Sequence, residues 1–367
     1  MSNVSNNWCP EVYRSVFIDR YNDDQIQVAP CCQAQKAIEA VENFDFKTSP
    51  HLQQIRHQFD QGQRAPECHR CWEAEDLGQY SRRQGAIKFF NLPSKDATVV
   101  LEAIDYSATW ACNLACVMCN PSFSSTWAKE LELSAADLKL IGRKFQKTNK
   151  IQNALDLSFI KKLHFNGGEP LLNNDQFDLL DHMDLSNTVI SYNTNGTIWP
   201  SDRLIDLWKQ AKLIKLFFSI DAIGEQFEYI RYPAKWAEVS ENLIKMKNEL
   251  PGNVMFAFNS TVGSYNAFEI IDVWKWFDEN LSTNREGDPS DFCWQLAYNY
   301  DIESLTLAAK QDIINQVSMI PALKSLANYI KSTLSAPVSN SWQTRLGKLD
   351  QRRGTDWKST LQIGKYY

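Results

Sequence analysis

A mixed α/β fold built as a partial (β/α)6 barrel is predicted by three features of this sequence. After residue 96, apolar runs rich in β-branched and aromatic residues recur, stretches with helical apolar spacing separate them, and the two kinds alternate across some 200 residues. Strand followed by helix, repeated, gives parallel strands, and right-handed crossovers curve such a sheet toward closure.

The strand-like runs are TVVLEAIDYSATW (98–110), IKKLHFN (160–166), TVISYNTNG (188–196), LIKLFFSID (213–221), VMFAFNSTV (254–262) and FCWQLAY (292–298). Helices are expected at 134–148 and 201–211, opened by Ser134 and Ser201 as N-caps. Another is expected at 236–250, where Val239, Leu243, Met246 and Leu250 form one stripe. At 266–280, Asn266 and Glu269 have the spacing of a capping box. Residues 300–335 read helical, with Leu323, Leu326, Ile330 and Leu334 on one face.

Before residue 96 the character differs: Cys9, Cys31, Cys32, Cys68 and Cys71 stand among turn-prone segments such as YNDDQ and QGQRAPE. The chain thus divides into a small, loop-rich, cysteine-rich domain over 1–95, a barrel over 96–300 and a helical C-terminal extension over 301–367. A length of 367 residues suffices for a large core and two domains of unequal size. A hydrophobic content of 44% with 22% charged residues excludes a disordered or coiled-coil chain. A net charge of -6 gives no overall basic footprint for nucleic acid. The N-terminal stretch carries charge and no unbroken apolar core, and no run is long and apolar enough for a membrane helix, so a cytoplasmic protein without a membrane partner is expected. In a reducing compartment nine cysteines, clustered except for Cys293, point to metal rather than to disulfides.

Cys112, Cys116 and Cys119 form a C-x3-C-x2-C loop directly after the first strand-like run. Three thiolates on one tight loop hold three irons of a [4Fe–4S] cube and leave the fourth open to a substrate. A zinc knuckle is the alternative, but a closed structural zinc site takes four ligands and no histidine stands near.

Asn166-Gly167-Gly168-Glu169-Pro170 closes the second run, Asn193-Thr194-Asn195-Gly196 the third, Ser219-Ile220-Asp221 the fourth and Asn259-Ser260-Thr261 the fifth, with Arg231 ten residues past Asp221. Carboxyl ends of strands are where α/β folds place ligand sites. In this order, the triad and these motifs resemble the radical S-adenosylmethionine (SAM) superfamily from residue 98 to about 300. The resemblance implies a TIM-like partial barrel in which Gly167 and Gly168 let the backbone approach the methionine moiety. It also implies that Glu169 accepts from the SAM amino group, that Asn195, Ser219 and Asp221 lie toward the ribose, and that Asn259 makes a further polar contact. Arg231 matches the arginine that pairs with the SAM carboxylate in a bidentate contact. Met118 stands where relatives often carry an aromatic residue, and its polarizable sulfur suits packing on a base. The chemistry implied is reductive: an electron from a donor such as flavodoxin or ferredoxin breaks the S–C5′ bond of SAM. The resulting 5′-deoxyadenosyl radical takes hydrogen from a substrate.

The N-terminal pattern, WCP at 8–10, PCC at 30–32 and PECHRC at 66–71, resembles the SPASM/Twitch auxiliary-cluster domain, which follows the barrel in most relatives and precedes it here. That resemblance implies a second [4Fe–4S] cluster on Cys9, Cys31, Cys68 and Cys71, with Cys32 as alternative to Cys31. A four-cysteine zinc ribbon would use the same residues. Such relatives often modify ribosomally made peptides, so the expected substrate is a peptide or protein side chain. A sugar or small metabolite is the alternative substrate, and a zinc-stabilised scaffold or binding protein the alternative class. Cys293 is either a hydrogen-atom donor to a substrate radical, as in radical epimerases, or a buried core cysteine. His164 reads as a packing residue and KLDQRRGTDWKST as a solvated tail.

Overall fold

Side chains alternate between the two faces of each strand, and in this computed structural model one face is apolar and the other polar, with strands Ser15–Arg20 and Ala103–Ser107 buried on both. The structure describes residues 7–22, 24–76, 81–92, 96–107, 109–141, 151–282 and 291–367. They form two compact units, one of residues 1–111, 132–192 and 206–214, the other of residues 112–131, 193–205 and 215–367.

In the first unit the strands are β1 (Ser15–Arg20), β2 (Gln25–Ala29), β3 (Ala37–Ala40), β4 (Ala103–Ser107), β5 (Lys162–Asn166) and most of β6 (Val189–Thr194), in the order β3-β2-β1-β4-β5-β6. The β1–β4, β4–β5 and β5–β6 pairs are parallel, and β2 runs antiparallel to both β1 and β3. Their register lines up Val16, Ile104, Leu163 and Ile190 in one cross-strand row and Ile18, Tyr106, Phe165 and Tyr192 in the next. All eight are buried. Phe165 stacks on Tyr192 at 5.0 Å, and Trp208 donates from its indole N–H to the Tyr192 hydroxyl at 3.2 Å. Each such side chain contributes roughly 1.5–3 kcal/mol by leaving water. The opposite rows carry Phe17, Asp105, His164 and Ser191, then Asp19, Ser107 and Asn166, so polar groups gather on the other face.

β1, β2 and β3 lie in the segment that reads as loop-rich, and β1 pairs with β4, so strands from either side of residue 95 share one sheet. The strand SVFIDR escapes the apolar pattern because Asp19 and Arg20 are buried with it; Arg20 is held by Asp175 at 3.3 Å. Helix Pro50–Asp60 starts on the Ser49 cap with proline in its first turn, and helix Arg82–Phe90 on a Ser81/Gln84 capping box. Trp8, Val12, Tyr13, Ile55, Phe59 and Trp72 form a core beneath them.

The second unit holds most of β7 (Leu213–Phe218), then β8 (Val254–Val262) and β9 (Phe292–Leu296), in that order, with β8 and β9 parallel. Helix Trp236–Glu249 buries Val239, Leu243 and Met246 as the stripe predicts. Helix Ile270–Asn280 begins later than expected, and Asn266 is not its cap. The Asn266 side chain instead accepts from the Gly263 N–H at 2.8 Å and donates to the Asp221 carbonyl at 3.0 Å. The C-terminal part is helical at Leu307–Val317, Lys324–Ser332 and Ser341–Arg353. Ser134 caps a helix described over Ala135–Leu140, and the remainder of the expected 134–148 helix, from residue 142 on, lies outside the described residues. The fold is mixed α/β with parallel strands, consistent with the predicted TIM-like architecture and its helical C-terminal part. Among the described residues no helix is long and apolar enough to cross a membrane.

Candidate functional site

The loop bearing Cys112, Cys116 and Cys119 is held by both side-chain and backbone hydrogen bonds. Its exit runs into helix Ser125–Glu130, whose first-turn hydroxyls turn back on it: Ser125 and Thr126 donate to the Cys112 carbonyl at 3.1 and 2.7 Å. The Trp127 indole donates to the Cys116 carbonyl at 2.8 Å. On either side of Cys116, the Ala115 N–H bonds to the Tyr232 carbonyl at 2.7 Å and the Val117 N–H to the Ile230 carbonyl at 2.9 Å. The segment read as a solvated tail reaches this loop. Arg353 donates to the Ala115 carbonyl at 2.7 Å, pairs with Glu130 at 2.9 Å, and packs on the rings of Trp127 and Tyr232 at 4.9 and 4.4 Å. Charge in KLDQRR concealed that role, since an arginine sandwiched by aromatics is indistinguishable in sequence from an exposed one.

Cys116 is buried and the other two thiols partly so. Burial pushes the Cys116 thiol up, and burial beside Cys116 pushes Cys119 up to about 12. Only thiolates bind iron, so occupancy releases protons here. Among the described residues, no three His, Cys, Asp or Glu side chains close around a point as the ligands of a single ion do. The donor set, three thiols and no histidine, with a guanidinium Nη1 of Arg231 3.6 Å from Cys116 Sγ, fits three irons of a cube, each taking one thiolate.

Arg231 and Asp221 are placed together, but toward each other. Nε and Nη2 of Arg231 lie 2.7 and 2.6 Å from one carboxylate oxygen of Asp221, and the second oxygen accepts the Thr261 N–H at 2.6 Å. The two side chains, each expected to contact SAM, form a buried internal pair with one another. A carboxylate at 0% side-chain exposure requires a countercharge, which Arg231 supplies. Asn195 is buried and donates to Asn113 at 2.9 Å, with Cys112 Sγ 4.0 Å away. Ser219 is partly buried, its N–H on the Thr194 carbonyl at 2.8 Å. Asn259 lies opposite Cys293 across the β8–β9 pair, and both are partly buried.

In the first unit, the Gly168 N–H bonds to the Thr109 carbonyl at 2.9 Å and the Glu169 N–H to that of Ala111 at 2.8 Å. Gly167 adopts φ +122°, and a Cβ on either glycine would overlap those carbonyl groups. The glycines thus press the turn against residues 109–111, immediately ahead of Cys112. Glu169 is fully buried, and its carboxylate accepts the Leu171 N–H at 3.1 Å. On the polar face His164 lies 2.7 Å from Ser191 Oγ and 3.1 Å from Asn166 Oδ1. Burial lowers its imidazole to about 4.

Cys9, Cys31, Cys68 and Cys71 line one cavity, walled by Val12, Phe59 and Trp72. Burial raises all four thiols, Cys68 to about 12. Cys32 stands off that lining: its Sγ lies 3.1 Å from Nη1 of Arg82. Arg82 in turn binds Glu11 and Asp105, each at 2.8 Å. A second cavity of about 280 Å³ is lined by Arg82 together with Asp105, Lys162, Phe89 and Phe90.

Residues 106–265 match the family model of the Radical SAM superfamily. The triad, the Gly-Gly-Glu turn, Asp221 and Arg231 all fall inside that stretch, and the five N-terminal cysteines fall outside. Among curated proteins, GTP 3′,8-cyclase of Actinobacillus pleuropneumoniae serotype 7 (strain AP76) is 29% identical over 128 residues, 34% of each chain, so the match spans about a third of the curated relative. Among solved structures, Streptococcus suis SuiB bound to S-adenosylmethionine covers 88% of this chain and 69% of its own, at 14% identity and a TM-score of 0.37. SuiB bound to precursor peptide SuiA covers 89% and 71%, at 14% identity and a TM-score of 0.38.

Proposed function

We propose that the chain is a radical SAM enzyme that carries a [4Fe–4S] cluster on Cys112, Cys116 and Cys119 and abstracts hydrogen from a peptide or protein side chain. When bound, the cluster and SAM together supply the chemistry of S–C5′ cleavage, giving methionine and a 5′-deoxyadenosyl radical. The observation that carries the reading is the triad itself: three thiols on one short loop, pinned by Thr126, Trp127, Tyr232 and Arg353, inside the stretch that matches the Radical SAM family model.

The protein's own residues bind, orient and exclude water. Gly167, Gly168 and Glu169 shape the turn packed on residues 109–111, while Asn195 and Ser219, just past the ends of β6 and β7, and Asn259 within β8 would contact SAM. Trp127 and Tyr232 cover the loop through their packing on Arg353. Cys9, Cys31, Cys68 and Cys71 would hold an auxiliary [4Fe–4S] cluster; the four thiols sharing one cavity support that set over one with Cys32. Cys293, on β9 opposite Asn259, would be the hydrogen-atom donor. A flavodoxin or ferredoxin in the cytoplasm would supply electrons.

The test is anaerobic reconstitution followed by iron and sulfide analysis and product detection. About eight irons per chain are expected for two cubes, with 5′-deoxyadenosine formed on reduction with SAM. Cys116→Ala should abolish deoxyadenosine. Stoichiometric zinc without iron would make the protein a scaffold, and S-adenosylhomocysteine in place of deoxyadenosine would make it a methyl transferase. Turnover of a sugar or nucleotide with no reaction on peptides would move the substrate to small metabolites.

A further inference from the structure

The Arg231–Asp221 pair meets the cysteine loop at one atom. Cys116 and Arg231 are opposed residues, because the bonds from Ala115 to Tyr232 and from Val117 to Ile230 clamp the backbone on both sides of each. That register directs Nη1 to within 3.6 Å of Cys116 Sγ while Nε and Nη2 remain on Asp221. The carboxylate is held in turn by the Thr261 N–H, and its residue's carbonyl by the Asn266 side chain. Arg231 and Asp221 have 9% and 0% side-chain exposure, so water screens neither charge strongly.

We propose that this pair sets the reduction potential of the SAM-binding iron centre through Cys116, with Arg231 favouring the reduced state and Asp221 opposing it. The inference rests on the proposed cluster. Reduction adds negative charge to the iron and its thiolates, and a donor or positive charge at a ligating sulfur stabilises that state. The carboxylate one guanidinium width away acts in the opposite sense and also holds the arginine back from full donation to sulfur. Removing the two partners singly should therefore move the potential in opposite directions. A pair that only supported the fold would not produce such a split.

The experiment is a redox titration of the reconstituted, SAM-free protein monitored by electron paramagnetic resonance, with SAM binding measured separately. Arg231→Gln is expected to shift the midpoint more negative and Asp221→Asn to shift it more positive. Arg231→Lys, which keeps the charge but not the fork, should fall between wild type and Arg231→Gln. It also replaces Arg231→Gln in the comparison if that variant fails to load iron. Loaded variants with an unmoved midpoint, or shifts of the same sign, overturn the inference. Weakened SAM binding by Arg231→Gln at an unchanged midpoint does so too, and returns Arg231 to the cosubstrate carboxylate. Absence of any iron centre in the wild type would instead defeat the proposed function.

Discussion

Replacing Gly168 by alanine drives a methyl group into the backbone just ahead of the cysteine loop. The new Cβ would stand 2.6 Å from the carbonyl carbon of Ala111 and 2.7 Å from that of Trp110. Ordinary carbon contacts begin near 3.5 Å, so relief requires a displacement of about 1 Å. Overpacking of that kind costs roughly 1–3 kcal/mol. Weakening the bonds from Gly168 to Thr109 and from Glu169 to Ala111 adds about 1 kcal/mol. A total of about 2–4 kcal/mol corresponds to a fall in melting temperature of roughly 4–16 °C for a unit of this size. Because Ala111 precedes Cys112, the same displacement should lower iron at the triad, read as acid-labile sulfide and as lost deoxyadenosine formation. Gly252→Ala is the control: nothing lies within 4 Å of its new Cβ, and no change in iron is expected. A Gly168→Ala protein with wild-type melting temperature and iron content would refute the close approach as the reason for glycine.

Arg353→Ala leaves Glu130 partly buried without its partner, at side-chain exposures of 3% and 15% for the pair, and should destabilise the chain by about 3 kcal/mol in denaturant titrations. Unchanged stability would mean that the contact with the Ala115 carbonyl is idle. Burial holds His164 at about 4 in the fold against 6.5 in the free side chain. The unfolded state therefore takes up a proton that the native state refuses as pH falls from 6.5 to 4. Up to about 3 kcal/mol should be lost across that window and largely recovered in His164→Gln; parallel pH–stability curves would contradict this. Cys31→Ser should remove the iron of the proposed auxiliary site, whereas Cys32→Ser should keep it. The reverse result would exchange their roles.

The six strands after residue 96 were legible because each is a run rich in β-branched or aromatic residues, four of them closed by polar motifs, and the Val239, Leu243 and Met246 stripe was legible because it packs on one face. The N-terminal strands were not, since β1 hides its ionic end by pairing Arg20 with Asp175 far along the chain. Spacing placed Arg231 and Asp221 in one site but did not show that their side chains pair with each other, which only the fold brings about. Asn266 resembled a helix cap because its spacing to Glu269 suits one, yet its amide is taken by Gly263 and Asp221. A Cys-Cys dipeptide cannot say which thiol turns inward; Cys31 on the cavity lining and Cys32 beside Arg82 are distinguished only in three dimensions.

The hold of Arg353 on the Ala115 carbonyl joins positions 238 residues apart. During synthesis the ribosome completes the cysteine loop long before it makes the arginine that braces it. Iron delivered by a maturation system would meet a loosely shaped loop on the nascent chain and a braced one only after the Ser341–Arg353 helix has emerged. Bracing of the loop is thereby deferred to a late stage of translation.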